Sequence, residues 1–371
     1  MVDNVDKYRK LFSNQINALF DEEGNQTLLP HLVHFAIVMK DLDISCHQQK
    51  EILNILVNNK DYYFQNNYSL FDGIPLLSIV FLINKVIIGE EYVRIQKQLL
   101  ALIQGLKIDI QDFRNVEYIN GISGLLNYYL ILYHDECSLI SNDQIYMLIE
   151  FIMKYVHRKV YNTLPLNLGL SHGIAGILLV LTKAYKAGFE MLGMKGIIWY
   201  LQNILITQYF HHELRIPGII NRGEVIFPRN TPSWCYSELG VLHAIIQSTQ
   251  VLGFSLLSIL FEEELKNVIQ NMNDYKIISP NFCHGYSGIF VFATLYGVSN
   301  EESNGFLLDQ IESFYDPECL SIFYDQYYNL SGEICSDASY SFLDGSISIL
   351  LSLLFVEGYN TDIWEEMLLL K

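Results

Sequence analysis

Three short segments carry side chains that could bind a metal or move a proton. They are Ser171-His172-Gly173, Trp234-Cys235-Tyr236 and Phe282-Cys283-His284-Gly285. Cys235, Cys283 and His284 together offer two thiolates and an imidazole. With a fourth position open this is the donor set of a catalytic zinc ion, whereas structural zinc is closed by four protein ligands. Thiolates select zinc over magnesium or calcium, which take oxygen ligands. His172 has three readings: a further ligand, a general acid or base, or a loop residue hydrogen-bonded locally. There is no C-x-x-C pair, and free cysteines are often small buried apolar side chains. Residue types and spacing alone leave both readings of Cys235 and Cys283 open.

Two other segments compete weakly. Cys46-His47 lacks the following glycine and is succeeded by Gln48, Gln49 and Lys50, the pattern of an ordinary polar helix. His211-His212-Glu213 lacks the helical spacing of H-E-x-x-H and reads as a solvated face.

The elements that must position these residues show in a glycine repeat. Its members are Asp72-Gly73-Ile74-Pro75, Asn120-Gly121-Ile122-Ser123-Gly124 and His172-Gly173-Ile174-Ala175-Gly176, then Tyr236-Ser237-Glu238-Leu239-Gly240, His284-Gly285-Tyr286-Ser287-Gly288 and Asp344-Gly345-Ser346-Ile347-Ser348. Successive members lie 48, 52, 64, 48 and 60 residues apart, the length of a helix pair with its loops. Each precedes an apolar helix, as in Ile177-Leu178-Leu179-Val180-Leu181. Glycine there permits close approach of neighbouring backbones and tolerates the dihedrals of a loop entering a helix. The expected class is all-α. The repeat suits an α/α toroid with inner helices converging on one axis, and equally an open solenoid of hairpins. In a toroid the three chemically equipped loops would share one face. No run alternates like an exposed strand, and hydrophilic breaks at Asn58-Asn59-Lys60, Gly89-Glu90-Glu91, Ser141-Asn142-Asp143 and Asn300-Glu301-Glu302 punctuate the helices. Arg215 to Trp234, with three prolines, reads as a long loop over one face.

Composition excludes several classes. With 51% hydrophobic and 17% charged residues in 371, the chain has ample apolar content for a large core and is not disordered. A formal net charge of −18 opposes binding to phosphate backbones, so no nucleic-acid partner is expected. Six cysteines are too few for a disulfide scaffold, and the charged start MVDNVDKYRKLF has no apolar signal core, which points to a reducing cytoplasm. Leu239 to Phe261 lacks charges for 23 residues, but His243, Gln247 and Gln250 lie within it and Gly253 breaks it. We read two buried helices with a turn, since polar groups at its middle are costly in lipid.

The ordered set Leu170-Ser171-His172-Gly173-Ile174-Ala175-Gly176, Trp234-Cys235-Tyr236 and Cys283-His284-Gly285-Tyr286-Ser287-Gly288 resembles the signature motifs of the LanC family, the lanthionine synthetase C-like cyclases. The glycine repeats extend the resemblance from about Phe71 to Leu354. It implies a single α/α-toroid domain over residues 1–371 with seven hairpins, the seventh lying before Asp61. It implies one zinc ion on Cys235, Cys283 and His284, and a reaction in which a substrate cysteine thiol adds to dehydroalanine or dehydrobutyrine. His172 matches the catalytic histidine; Tyr236, Arg229 and Glu117 are assigned to the same catalytic site.

This chain departs from the family pattern at three places. Ser237 replaces the glycine after W-C-Y, which would leave the loop less free to bend. Glu117 stands where an aspartate is expected. The arginine before W-C-Y is displaced to Arg229, with Arg222 as a rival. The implied activity is that of a free-standing lanthipeptide cyclase acting on a dehydrated, leader-bearing precursor peptide. Almost the whole chain is used by the toroid, so dehydration is expected from a separate LanB-type dehydratase. An exporter complex is a further expected partner, placing the enzyme in the cytoplasm or at the membrane periphery through those partners. The alternatives are a zinc- and glutathione-binding protein without cyclase activity, and a metal-free toroid hydrolase or lyase using Glu117 with Asp72 or Asp344.

Overall fold

The computed structural model describes residues 2–21, 29–61, 67–106, 116–136, 138–160, 165–221, 224–227, 231–319, 321–329 and 331–371. Six helices begin at the repeated loops: Ile74–Ile83, Ile122–Asp135, Ile174–Lys186, Glu238–Leu252, Tyr286–Leu295 and Ser346–Val356. They are apolar around nearly their whole circumference and are buried accordingly. Amphipathic helices alternate with them: Tyr92–Gly105, Asn142–Tyr155, Met194–His211, Ser255–Gln270 and Glu301–Glu312. Each buries one stripe, such as Ile145, Leu148, Ile149 and Ile152. Two of the hydrophilic breaks act as reciprocal N-terminal caps, Ser141 with Gln144 and Asn300 with Ser303.

Chain contacts define two units. The first comprises Met1–Asn67, Asp72–Gly105 and Ile278–Trp364; the second comprises Tyr68–Phe71, Leu106–Ile277 and Glu365–Lys371. In the first, the helix pair expected before Asp61 is present as Leu29–Val38 and Cys46–Asn58. Leu29–Val38 packs against both Ile74–Ile83 and Ser346–Val356, and Ser346–Val356 packs in turn against Tyr286–Leu295. It takes its place in this row without a glycine loop before it, by the apolarity of residues such as Leu32, Phe35, Ala36 and Met39. In the second unit Ile174–Lys186 lies between Ile122–Asp135 and Glu238–Leu252.

The glycines are required for space and not for dihedral freedom. Gly121, Gly173, Gly285 and Gly345 have φ between −112° and −133°, extended backbone that any residue adopts. A Cβ at Gly176 would sit 2.2 Å from the Leu170 carbonyl oxygen, at Gly240 1.9 Å from that of Trp234, and at Gly288 2.1 Å from that of Phe282. Each loop thus presses a carbonyl into the first turn of the helix it feeds. Ser237 stands at the matching place without a change of backbone. It adopts the same extended conformation (φ −129°), and its hydroxyl accepts the Ser233 N–H at 2.6 Å and donates to the Thr231 carbonyl at 2.8 Å.

The segment Glu365–Lys371 is the polar centre of the second unit. Met367, Leu368, Leu369 and Leu370 are buried, and their backbone answers polar side chains on the surrounding helices. The Tyr118 hydroxyl donates to the Met367 carbonyl, Asn127 to Glu366 at 2.9 Å and Trp234 Nε1 to Leu368 at 3.0 Å. His243 Nε2 lies 2.9 Å from the Leu369 carbonyl. Of the polar residues within the uncharged run from Leu239 to Phe261, His243, Ser248 and Thr249 are buried and bonded inside the protein, while Gln247 and Gln250 accept from Lys186 nearer the surface. That run is two helices broken at Gly253, which has φ 79°. No helix among the described residues is long and apolar enough to cross a membrane.

Two small sheets accompany the helices. Leu166–Asn167, Ile219–Asn221 and Glu224–Ile226 form one antiparallel sheet, and Asp325–Tyr328 pairs with Ile334–Asp337 in the other. Strands of two to four residues are too short for alternation to register in a sequence. The first sheet lies partly within the segment from Arg215 to Trp234 that reads in the sequence as a long loop.

Two outcomes test these contacts. Gly240→Ala should lower stability by about 1–3 kcal/mol, because its Cβ must displace backbone. Gly196→Ala, in the open first turn of Met194–His211 with nothing within 4 Å, should raise it by about 0.5–1 kcal/mol; denaturant unfolding measures both. Burial holds His243 at a pKa of about 4, so it folds neutral. Its contribution is complete above the unfolded value near 6.5 and is lost as pH falls from there toward 4, at about 1.4 kcal/mol per pH unit. His243→Gln should flatten that part of the stability–pH curve.

Candidate metal and catalytic site

Polar side chains close the repeated loops at one recurring position, four residues before the repeat glycine. Glu117 accepts the Ile119 and Asn120 amides at 2.7 and 2.6 Å, and Ser233 Oγ accepts that of Tyr236 at 3.2 Å. Asn281 Oδ1 accepts that of His284 at 3.0 Å, and Ser341 Oγ those of Leu343 and Asp344. Neighbouring loops are then stitched by backbone bonds. Ile119 N–H reaches the Ser171 carbonyl at 3.1 Å and Ser171 N–H that of Cys235 at 3.0 Å, while Cys283 N–H reaches Leu343 at 3.1 Å.

The His172 loop is the exception to the polar position, and the reason is steric. Gly169 stands there, and a Cβ on it would lie 2.6 Å from the Cys235 carbonyl oxygen and 3.0 Å from Tyr236 Cα. The two loops cross at that point, which brings Trp234-Cys235-Tyr236 alongside His172. Sequence reasoning missed Gly169; the signal was its break with the polar residue found at that place in the other loops. Trp234, fully buried and anchored on Leu368, fixes the base of the same loop.

His172 Nδ1 lies 3.1 Å from Glu117 Oε2, and its ring is 5.8 Å from that of Tyr236. Glu117 is buried, with both oxygens engaged by amides and His172. Burial presses the His172 pKa down, but the hydrogen bond and charge of Glu117, with the Cys235 sulfur behind them, outweigh it and leave the pKa above the ordinary value. A carboxylate on Nδ1 orients the ring and leaves Nε2 for substrate, the arrangement of an oriented general acid or base.

Cys235 and Cys283 are both buried, and neither is in a disulfide. Cys235 Sγ lies 3.7 Å from Ser233 Oγ. Cys235, Cys283 and His284 form a group whose side chains could hold a metal ion. Soft donors of this kind fit zinc. His284 Nε2 faces Asn281 Nδ2 at 3.3 Å and Asp325 Oδ2 at 3.8 Å, two residues that sequence reasoning did not single out. Cys46 and His47 are exposed at the start of Cys46–Asn58, and no metal-competent group among the described residues includes them or His211, His212 and Glu213. Arg229 and its rival Arg222 lie outside the described residues.

The structure matches that of nisin cyclase with a TM-score of 0.71 at 21% identity, covering 99% of this chain and 97% of that one. The fold is accordingly an α/α toroid. A curated relative, the nisin biosynthesis protein NisC of Lactococcus lactis subsp. lactis, is 25% identical over 325 residues, covering 76% of each chain. The family profile described as lanthionine synthetase C-like protein matches residues 39–369, and the chain belongs to that family.

The His172–Glu117 pair is open to direct measurement. Glu117→Gln removes the charge that favours the imidazolium while leaving the burial that disfavours it. The His172 titration, followed by the proton NMR signal of its Cε1–H, should move to lower pH. An unchanged midpoint would remove Glu117 as its partner.

Proposed function

We propose that this protein is a zinc-dependent lanthipeptide cyclase. It would close thioether rings by adding cysteine thiols of a dehydrated precursor peptide to dehydroalanine or dehydrobutyrine. The observation that carries this reading is the placement of an oriented acid–base group, His172 on Glu117, beside Cys235 of a two-thiol, one-imidazole cluster. The same order of motifs in a family that includes a nisin biosynthesis protein supports it.

Cys235, Cys283 and His284 would hold the zinc, which when bound lowers the pKa of a substrate thiol and keeps its sulfur nucleophilic. The remaining work falls to this chain's own residues. His172 takes the thiol proton at Nε2 as the carbon–sulfur bond forms at the β-carbon. The pair of electrons displaced from the double bond passes to the adjacent carbonyl as an enolate. His172, as imidazolium on Glu117, returns a proton to the α-carbon, so the addition needs no oxidant or reductant. Tyr236, stacked obliquely 5.8 Å from the His172 ring, is placed to hold the enolate oxygen or the peptide backbone. Glu117 acts through His172 and keeps Nδ1 occupied.

The substrate must arrive already dehydrated, because none of these groups eliminates water from serine or threonine. A separate LanB-type dehydratase, and an exporter that removes the product, are the partners this reading calls for.

The decisive experiment is metal content by elemental mass spectrometry, wild type beside Cys283→Ala, followed by turnover of a dehydrated precursor. About one zinc per chain, lost in Cys283→Ala together with ring formation, is the expected result. His172→Asn should keep its zinc and lose roughly 10²–10⁴-fold in rate. A wild type that takes up no zinc would end the cyclase reading. Zinc with precursor binding but no ring closure would assign a binding role instead.

A further inference from the structure

The imidazole of His284 has two nitrogens, and the zinc reading does not say which one meets the metal. Its surroundings in the first unit do. Asn281, four residues before Gly285, uses its Oδ1 on the His284 backbone N–H at 3.0 Å and its Nδ2 on the Asp344 carbonyl at 3.3 Å. The same Nδ2 donates to Asp325 Oδ2 at 3.1 Å. That carboxylate oxygen lies 3.8 Å from His284 Nε2, within ion-pair distance; Asn281 Nδ2 is nearer that nitrogen, at 3.3 Å, but its two hydrogens go to Asp325 and Asp344. Asp325 is the first residue of the strand Asp325–Tyr328, opposite Asp337 in the paired strand, so a hairpin fixes its backbone. Only 16% of its side chain is exposed, and burial raises its pKa. A carboxylate held this far from water needs a hydrogen-bonding cation or donor beside it.

We propose that Asp325 is a positioning residue for His284: it receives the Nε2–H of the imidazole and thereby presents Nδ1 to the metal. This rests on the zinc reading above. A metal on Nδ1 makes Nε2–H a stronger donor, and a carboxylate on that proton fixes the tautomer and raises the basicity of the ligating nitrogen. Asn281 ties the arrangement together, since one side chain holds both the His284 backbone and the Asp325 oxygen. The hairpin that interrupts the chain between Glu301–Glu312 and Ser346–Val356 gains a function from this, as the support of a ligand it does not itself contain.

Zinc affinity, measured by competition with a chromophoric chelator, tests the proposal. Asp325→Ala should weaken zinc binding 10–100-fold, and Asp325→Asn, which keeps an acceptor without the charge, should fall between it and wild type. Asp337→Asn, the same charge change across the hairpin, should bind as wild type does. Because Asp325→Ala could loosen the hairpin, the structure of the zinc-loaded wild type gives an independent reading. Metal on Nδ1 with Asp325 hydrogen-bonded to Nε2 supports the proposal, and metal on Nε2 overturns it. Equal zinc affinity in Asp325→Ala and wild type overturns it while leaving the zinc reading intact. A wild type without zinc affinity fails both.

Discussion

The contact on which this structure depends is a loop carbonyl pressed into the first turn of the helix that follows it. At Gly124, Gly176, Gly240 and Gly288 the oxygen belongs to the residue six positions earlier, Tyr118, Leu170, Trp234 and Phe282. A Cβ at any of these glycines would lie 1.9–2.2 Å from the oxygen, where real Cβ contacts are not found below 3.0 Å. The residue after each oxygen is thereby fixed in space. In two loops that residue is Cys235 or Cys283, and in a third it is Ser171, with His172 next. The repeat is therefore a device for holding the next one or two side chains at a set height above a buried helix.

A second layer of order comes from the polar residue that closes each loop. Glu117, Ser233, Asn281 and Ser341 accept amides of the loops they close, each a bond worth about 0.5–1.5 kcal/mol. Two of these residues do more. Glu117 reaches across to His172 and Asn281 to Asp325, so the side chains that build the loops also hold side chains of the candidate site. The family position expected to hold aspartate holds glutamate here, and the longer side chain still spans the two amides and the imidazole.

The segment Glu365–Lys371 explains why so apolar a set of helices keeps Tyr118, Asn127, Trp234 and His243 in its interior. Each finds a backbone carbonyl of that segment, and Lys183 reaches the Glu366 carbonyl at 3.3 Å. A buried donor that finds an acceptor avoids the cost of being left unmet. Trp234 links this network to the metal-competent loop, because its indole is anchored on Leu368 and Cys235 follows it in the chain.

Much was legible in the order of residues. Helices with apolar surfaces, their breaks at Ser141 and Asn300, the turn at Gly253 and the register of the glycine loops all follow from local chemistry that a few neighbouring residues express. The types of Cys235, Cys283, His284 and His172 already named a chemistry, though not whether the sulfurs meet or lie buried apart. Other features were decided only by the fold. Gly169 matters because another loop crosses it, Ser237 because its hydroxyl finds Ser233 and Thr231, and Asp325 because a hairpin carries it to within 3.8 Å of an imidazole 41 positions earlier. Such contacts leave no periodic trace, since their partners are separated by tens of residues and their value depends on where the backbone has already been placed. Sequence set the local shapes and the donors; tertiary packing decided which donors face one another.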